Sequence, residues 1–172
     1  MWTILQHRPV SGYRLTAMSK NPQTEATFEE LPPEPVTTVF YSHRVLAEKL
    51  ERGEFDRLKA NLREFVLRHK DEIVQAVNEL PEVVDRRVRI VETIGTLIEE
   101  SKSVSPATEM ADQINEINKE IWYQGEKGQT DRARISEEWT RRYAAQWRNA
   151  RLQELLYLVE AMADELIEIV EK

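Results

Sequence analysis

From about Asp131 to Lys172 the chain reads as one long helix whose apolar face changes sides partway along. Ile135, Trp139, Tyr143 and Trp147 recur at four-residue spacing. Beyond Asn149 the apolar positions become Leu152, Leu155, Val159, Met162, Leu166 and Ile169. At 100° per residue the second stripe is rotated from the first by about 140°. A straight helix with two such stripes needs a different partner for each half. The alternative is a bend near Asn149. In either case the segment is built to connect separate pieces of structure.

The rest of the chain sets limits on what those pieces are. Charged residues make up 32% of the 172 residues, and the net charge of -7 disfavours wholesale binding to nucleic acid or an anionic membrane. With no cysteine there is no disulfide framework, thiolate metal site or cysteine nucleophile, which fits a cytoplasmic location. No apolar run approaches the roughly 18 residues of a membrane span. The length suits one domain with a real core.

Five of the seven prolines fall in the first 35 residues. This places a disordered or extended arm over 1–38 and a helical bundle domain over 39–172. Residues 1–17 contain no acidic side chain, unlike everything after them. They read either as a mobile tail or as sequence upstream of a start at Met18. Val36–Tyr41 is β-branched and aromatic but has no partner strand, so Phe40 and Tyr41 are expected to pack on the bundle from an extended segment.

Ser42 is a fair N-cap for a short helix ending at Gly53. Phe55, Leu58, Leu62, Phe65, Val66, His69, Ile73, Ala76, Val77 and Leu80 then share one face, which predicts a continuous amphipathic helix of about 25 residues. Pro81 is suited to open the next helix, running to about Glu100, where one stripe of Val84, Val88, Val91 and Ile98 and another of Val83, Ile90, Ile94 and Leu97 give wide apolar coverage. Ser105-Pro106 reads as another helix start. Behind it Met110, Ile114, Ile117 and Ile121 repeat at four- and three-residue spacing, and Gly125 and Gly128 permit the left-handed stop. Thr130 or Asp131 caps the last helix.

Candidate chemistry is thin. Glu51 and Glu54 form an ExxE, and Glu82 and Asp85 an ExxD, the motifs of metal-dependent nucleotide pyrophosphatases. Placed at opposite ends of a long helix, they lie roughly 35 Å apart and cannot share a magnesium ion. His69 is the one histidine on a core face, and a structural imidazole bonded to a single partner accounts for it. The Gly125–Gly128 turn lacks the strand and the Lys-Ser or Lys-Thr of a phosphate loop. Residues 131–151 carry a net charge of +3. Their arginines, Arg134, Arg141, Arg142, Arg148 and Arg151, are the candidate anion or nucleic-acid contacts. The aromatics lie roughly opposite the Arg134–Arg141–Arg148 row, so one ligand does not easily touch both.

The sequence therefore predicts an all-α antiparallel bundle of four main helices with a long, kinked or protruding C-terminal helix. The function expected is a non-enzymatic protein–protein interaction module: an adaptor, assembly or regulatory subunit with no cofactor and no metal. Its expected surface for a protein partner or a homo-oligomer is Leu152, Leu155, Val159, Met162, Leu166 and Ile169, which occupy a and d positions. The alternative is a nucleic-acid-binding accessory protein using the arginines of 132–151.

Overall fold

The computed structural model describes residues 41–172, which fall within one compact unit. Among the described residues there are seven helices and no strand: α1 (His43–Glu51), α2 (Asp56–Arg68), α3 (Lys70–Glu79), α4 (Arg86–Ser101), α5 (Pro106–Glu126), α6 (Arg132–Ala161) and α7 (Ala163–Glu171). The arm expected over 1–38, and Phe40, lie outside the described residues. Tyr41 packs partly buried against the core, and its backbone N–H donates to Gln153 Oε1 at 3.0 Å.

Local chemistry explains most helix ends. Ser42 Oγ accepts from the Val45 N–H to start α1, and Gly53, at φ +72°, follows its end. Pro106 stands at the first position of α5, where its missing N–H costs nothing. Asp131 Oδ1 accepts from the Arg134 N–H at 3.0 Å to start α6. The fourth helix begins five residues later than Pro81 implied. Leu80 precedes a proline and is extended (φ -76°, ψ 151°), so residues 81–85 form a connection. Asp85 is the cap, its Oδ1 accepting from the Arg87 N–H at 2.8 Å.

The expected 25-residue helix is two helices, interrupted at His69 (φ -99°, ψ 13°). Leu58, Leu62, Phe65 and Val66 of α2 and Ile73 and Val77 of α3 are all buried in one core, and both helices pack on α7. The C-terminal helix is likewise two, but the break is at Met162 (φ -108°, ψ 14°), not near Asn149. α6 runs through Asn149 without interruption.

The two stripes of the long helix therefore meet two different partners. Leu155, Leu158 and Val159 join Ile90, Ile94, Ile98, Leu62, Ile73 and Leu166 in the main core, formed by α1–α4, the second half of α6 and α7. Ile135, Trp139, Ala144, Trp147 and Ala150 are buried outside that cluster, along the stretch of α6 that packs on α5. α6 is the dominant neighbour of α5, to which it is joined by the short connection 127–131. The pair forms an antiparallel hairpin on the helical body.

Candidate interaction surface

α5 carries two faces, and the structure turns the unexpected one inward. At 100° per residue Met110, Ile114, Ile117 and Ile121 fall within an arc of about 60°, while Glu109, Glu116 and Glu120 centre about 110° further round. The acidic side is the covered one. Glu109 is buried, and Asp112, Glu116, Glu120 and Tyr123 are half-buried. On the apolar side Met110 is 66% exposed and Ile114 50%, with Ile117 and Ile121 half-buried. The 4-3-4 spacing of these residues gives alternating d and a positions of a heptad pattern. Met110 and Ile114 are left open to solvent, whereas Ile117 and Ile121 are partly covered.

The acidic side is held by arginines. Arg151 Nη2 donates to Asp112 Oδ2 at 3.1 Å, and Arg57 of α2 donates to the other oxygen, Oδ1. Arg151 also lies 3.5 Å from Glu154 Oε2 and stacks over the Trp147 ring, 4.9 Å from its centroid. Glu154 in turn pairs with Lys49 of α1. A chain of alternating charge thus ties α5, at the root of the hairpin, to α1, α2 and α6. Nearby, burial raises the Glu109 carboxyl above the ordinary carboxylate range, against the lowering effect of hydrogen bonds from Ser103 and the Val104 backbone and of the Arg151 charge.

The expected binding stripe on the C-terminal helix is not a surface. Leu155, Val159, Met162 and Leu166 are buried, and Leu152 and Ile169 are half-buried against the same core. α2, α3 and α4 cover them, so the a and d pattern is satisfied within the chain.

The arginines divide. Arg151 is committed to the network just described. Arg134, Arg141, Arg142 and Arg148 are exposed, and Arg142 pairs with Glu138 at 2.7 Å. Trp139 and Trp147 are buried and present no face for base stacking; Tyr143 is 36% exposed.

His69 is half-exposed, its Nδ1 2.8 Å from Glu72 Oε2 and its ring 4.5 Å from that of Phe65. Of the ExxE and ExxD residues, Asp85 caps α4 and Glu54 lies 2.9 Å from Arg52. Among the described residues no three His, Cys, Asp or Glu side chains stand together in a way that would hold a metal ion. No described helix is long and apolar enough to cross a membrane.

No protein family, no curated protein and no solved structure matches this chain.

Proposed function

We propose that this chain is a non-enzymatic helical interaction module, an adaptor, assembly or regulatory subunit of the cytoplasm, and that its binding surface is α5. The observation that supports this is the exposure of Met110 and Ile114, which share a heptad-spaced stripe with the half-buried Ile117 and Ile121, on a helix whose acidic side is turned further inward. Apolar residues at heptad spacing recognise a partner helix by insertion into its side-chain gaps. A photo-crosslinking amino acid at position 114 or 117, expressed in the native host, tests the reading. Adducts at these positions and none at Glu99, exposed on α4, support it. Absence of adducts on α5 removes it.

A second reading keeps nucleic acid as the partner, because Arg134, Arg141, Arg142 and Arg148 are exposed on the basic half of α6. Counterion release makes such binding fall steeply as salt rises, whereas an apolar helix interface barely responds. Anisotropy of labelled single-stranded and duplex oligonucleotides across a salt series decides it. No binding at low salt eliminates this alternative.

A further inference from the structure

We infer that Glu109 is a proton-operated latch at the root of the α5–α6 hairpin: with its carboxyl protonated the first turns of α5 lie closed on the body, and with the carboxyl ionised they open. Such a latch operates whatever α5 binds, so it stands apart from the reading of α5 as a binding surface.

Glu109 stands in the first turn of α5 and is 9% exposed. Its Oε1 is buried with no hydrogen-bond partner. A buried oxygen without a donor is tolerated far better in a neutral carboxyl than in a carboxylate. The groups facing it come from three elements. Ser103 and the Val104 backbone, in the link before α5, donate to it, α6 brings Arg151, and α5 itself brings Asp112. The nearest cation is already divided. Arg151 Nη2 donates to Asp112, its Nη1 lies 3.5 Å from Glu154, and its Nε is buried without a hydrogen-bond partner. Behind these, Lys49 of α1 pairs with Glu154, and Arg57 of α2 with Asp112. In the covered part of the cluster Lys49 and Arg151 balance Glu154 and Asp112. The Arg57 side chain is 61% exposed and screened by solvent. An ionised Glu109 is therefore a further covered charge with no cation of its own. Burial accordingly outweighs the surrounding hydrogen bonds and raises the carboxyl.

The fold makes the response local. Val104 is buried in the main core, and Arg68 of α2 donates to its carbonyl at 2.9 Å, so the link belongs to the body. Among the described residues α5 gives no side chain to that core, and it packs chiefly on α6. Lifting its first turns hydrates Glu109 while breaking the two Asp112 ion pairs and some packing on α6. Hydrating it through global unfolding would break the whole core. Once open, Glu109 is solvated and titrates at its ordinary value of 4.5, whereas the closed form titrates higher. The ratio of open to closed molecules therefore rises up to about tenfold per pH unit between those two values and levels off above the higher one.

The absence of cysteine allows spin labels to be placed in chosen pairs on the full chain. Glu99→Cys on α4 with Asn118→Cys on α5 reads the hairpin against the body. Glu51→Cys on α1 with Glu99→Cys reads the body alone, and all three positions are exposed. Pulsed electron spin resonance distances are measured between pH 4 and 8, roughly the window of carboxyl titration. The first pair is expected to gain an open population as pH rises, with the second pair unchanged. In a Glu109→Gln background, which cannot ionise, the first pair is expected to keep its closed distribution at every pH. A first-pair distribution that does not change with pH in the chain with native Glu109 overturns the inference. So does an equal response in the Glu109→Gln background. Broadening of both pairs together overturns it as well, because the body then opens with the hairpin.

Discussion

Lys49 Nζ lies 2.5 Å from Glu154 Oε1, and both residues are buried, at 8% and 1% exposure. They come from α1 and from the second half of α6, 105 residues apart in sequence. The pair fastens the short leading helix to the longest one, at the height where α6 passes from the body into the hairpin. Removing one member leaves the other charge buried and uncompensated. Glu154→Ala is expected to cost about 3–5 kcal/mol. Lys49→Met with Glu154→Leu is expected to recover most of that loss, because no lone charge remains. Urea denaturation of the single and double variants measures both, and additive losses would contradict the pairing.

The C-terminal stripe gives the second prediction. Leu155 and Leu166 are fully buried, with Met162 at 6% exposure between them. Leu155→Asp combined with Met162→Asp is expected to unfold the chain, and Leu155→Ala to cost about 2–5 kcal/mol. Circular dichroism distinguishes this from an interface role. A folded, monomeric Leu155→Asp, Met162→Asp variant of a wild-type dimer would return the stripe to the surface.

Glu109 makes stability depend on pH in a defined sense. Its carboxyl is raised above its ordinary value by burial. The folded chain therefore binds a proton more tightly than the unfolded one between the two values. The contribution is fully favourable below the unfolded pKa and is lost as pH rises through the folded one. Glu109→Gln, which mimics the protonated form, is expected to be more stable than wild type at neutral pH. The gap should close as the solution is acidified. Thermal midpoints of both proteins between pH 4 and 8, roughly the window spanning carboxyl titration, test this. A gap that widens toward acid would refute the assignment.

Tyr41 supplies the alkaline counterpart. Burial first, and the Glu154 charge second, push its phenol up to about 12, against the pull of Arg151. Its contribution is intact below the ordinary tyrosine value of 10.0 and is lost as pH rises through about 12. Spectrophotometric titration should show a phenol step near pH 12 that Tyr41→Phe removes, and its persistence in that variant would contradict the assignment.

Much of the helical layout was legible because its punctuation is local. Ser42, Pro106, Gly128 and Asp131 mark ends through their own hydrogen bonds and dihedral preferences, and the helices begin and end where they stand. Pro81 misled because proline suits both a connection and a first helical turn, and Asp85 was the residue with the cap. The breaks at His69 and Met162 have no such punctuation. Each is a single irregular residue that still donates to the carbonyl four residues back, so no local signal sets it apart. The face switch of the long helix was readable, and α6 does meet two partners. Which stripe would be covered by the body was not. Periodicity says which residues share a face, and only packing says what lies over it. For the same reason the stripe Met110–Ile121 was visible as a repeat, while the exposure of Met110 and Ile114 and the ties of Asp112 to Arg57 and Arg151 were not.

The dominant packing of α5 on α6 also sets where the molecule opens first. Its amides are expected to exchange with solvent through local unfolding at lower free energy than those of α4, which packs on α3, α6 and α7. Native-state hydrogen exchange under weak denaturant should show α5 joining the exchanging population ahead of α4. Equal protection of the two would mean that the hairpin opens only with the body.

The short 127–131 connection and the uninterrupted course of α6 make the reach of the hairpin a separate quantity from the stability of the body. Seven residues added to α5 and seven to the facing part of α6 preserve every heptad register, and lengthen the arm by about 10 Å. None of the core residues need change. The architecture is in this sense a spacer with an adjustable ruler. Distance between whatever it joins can be tuned by paired insertions near the tip, while the fold that anchors the ruler stays as it is.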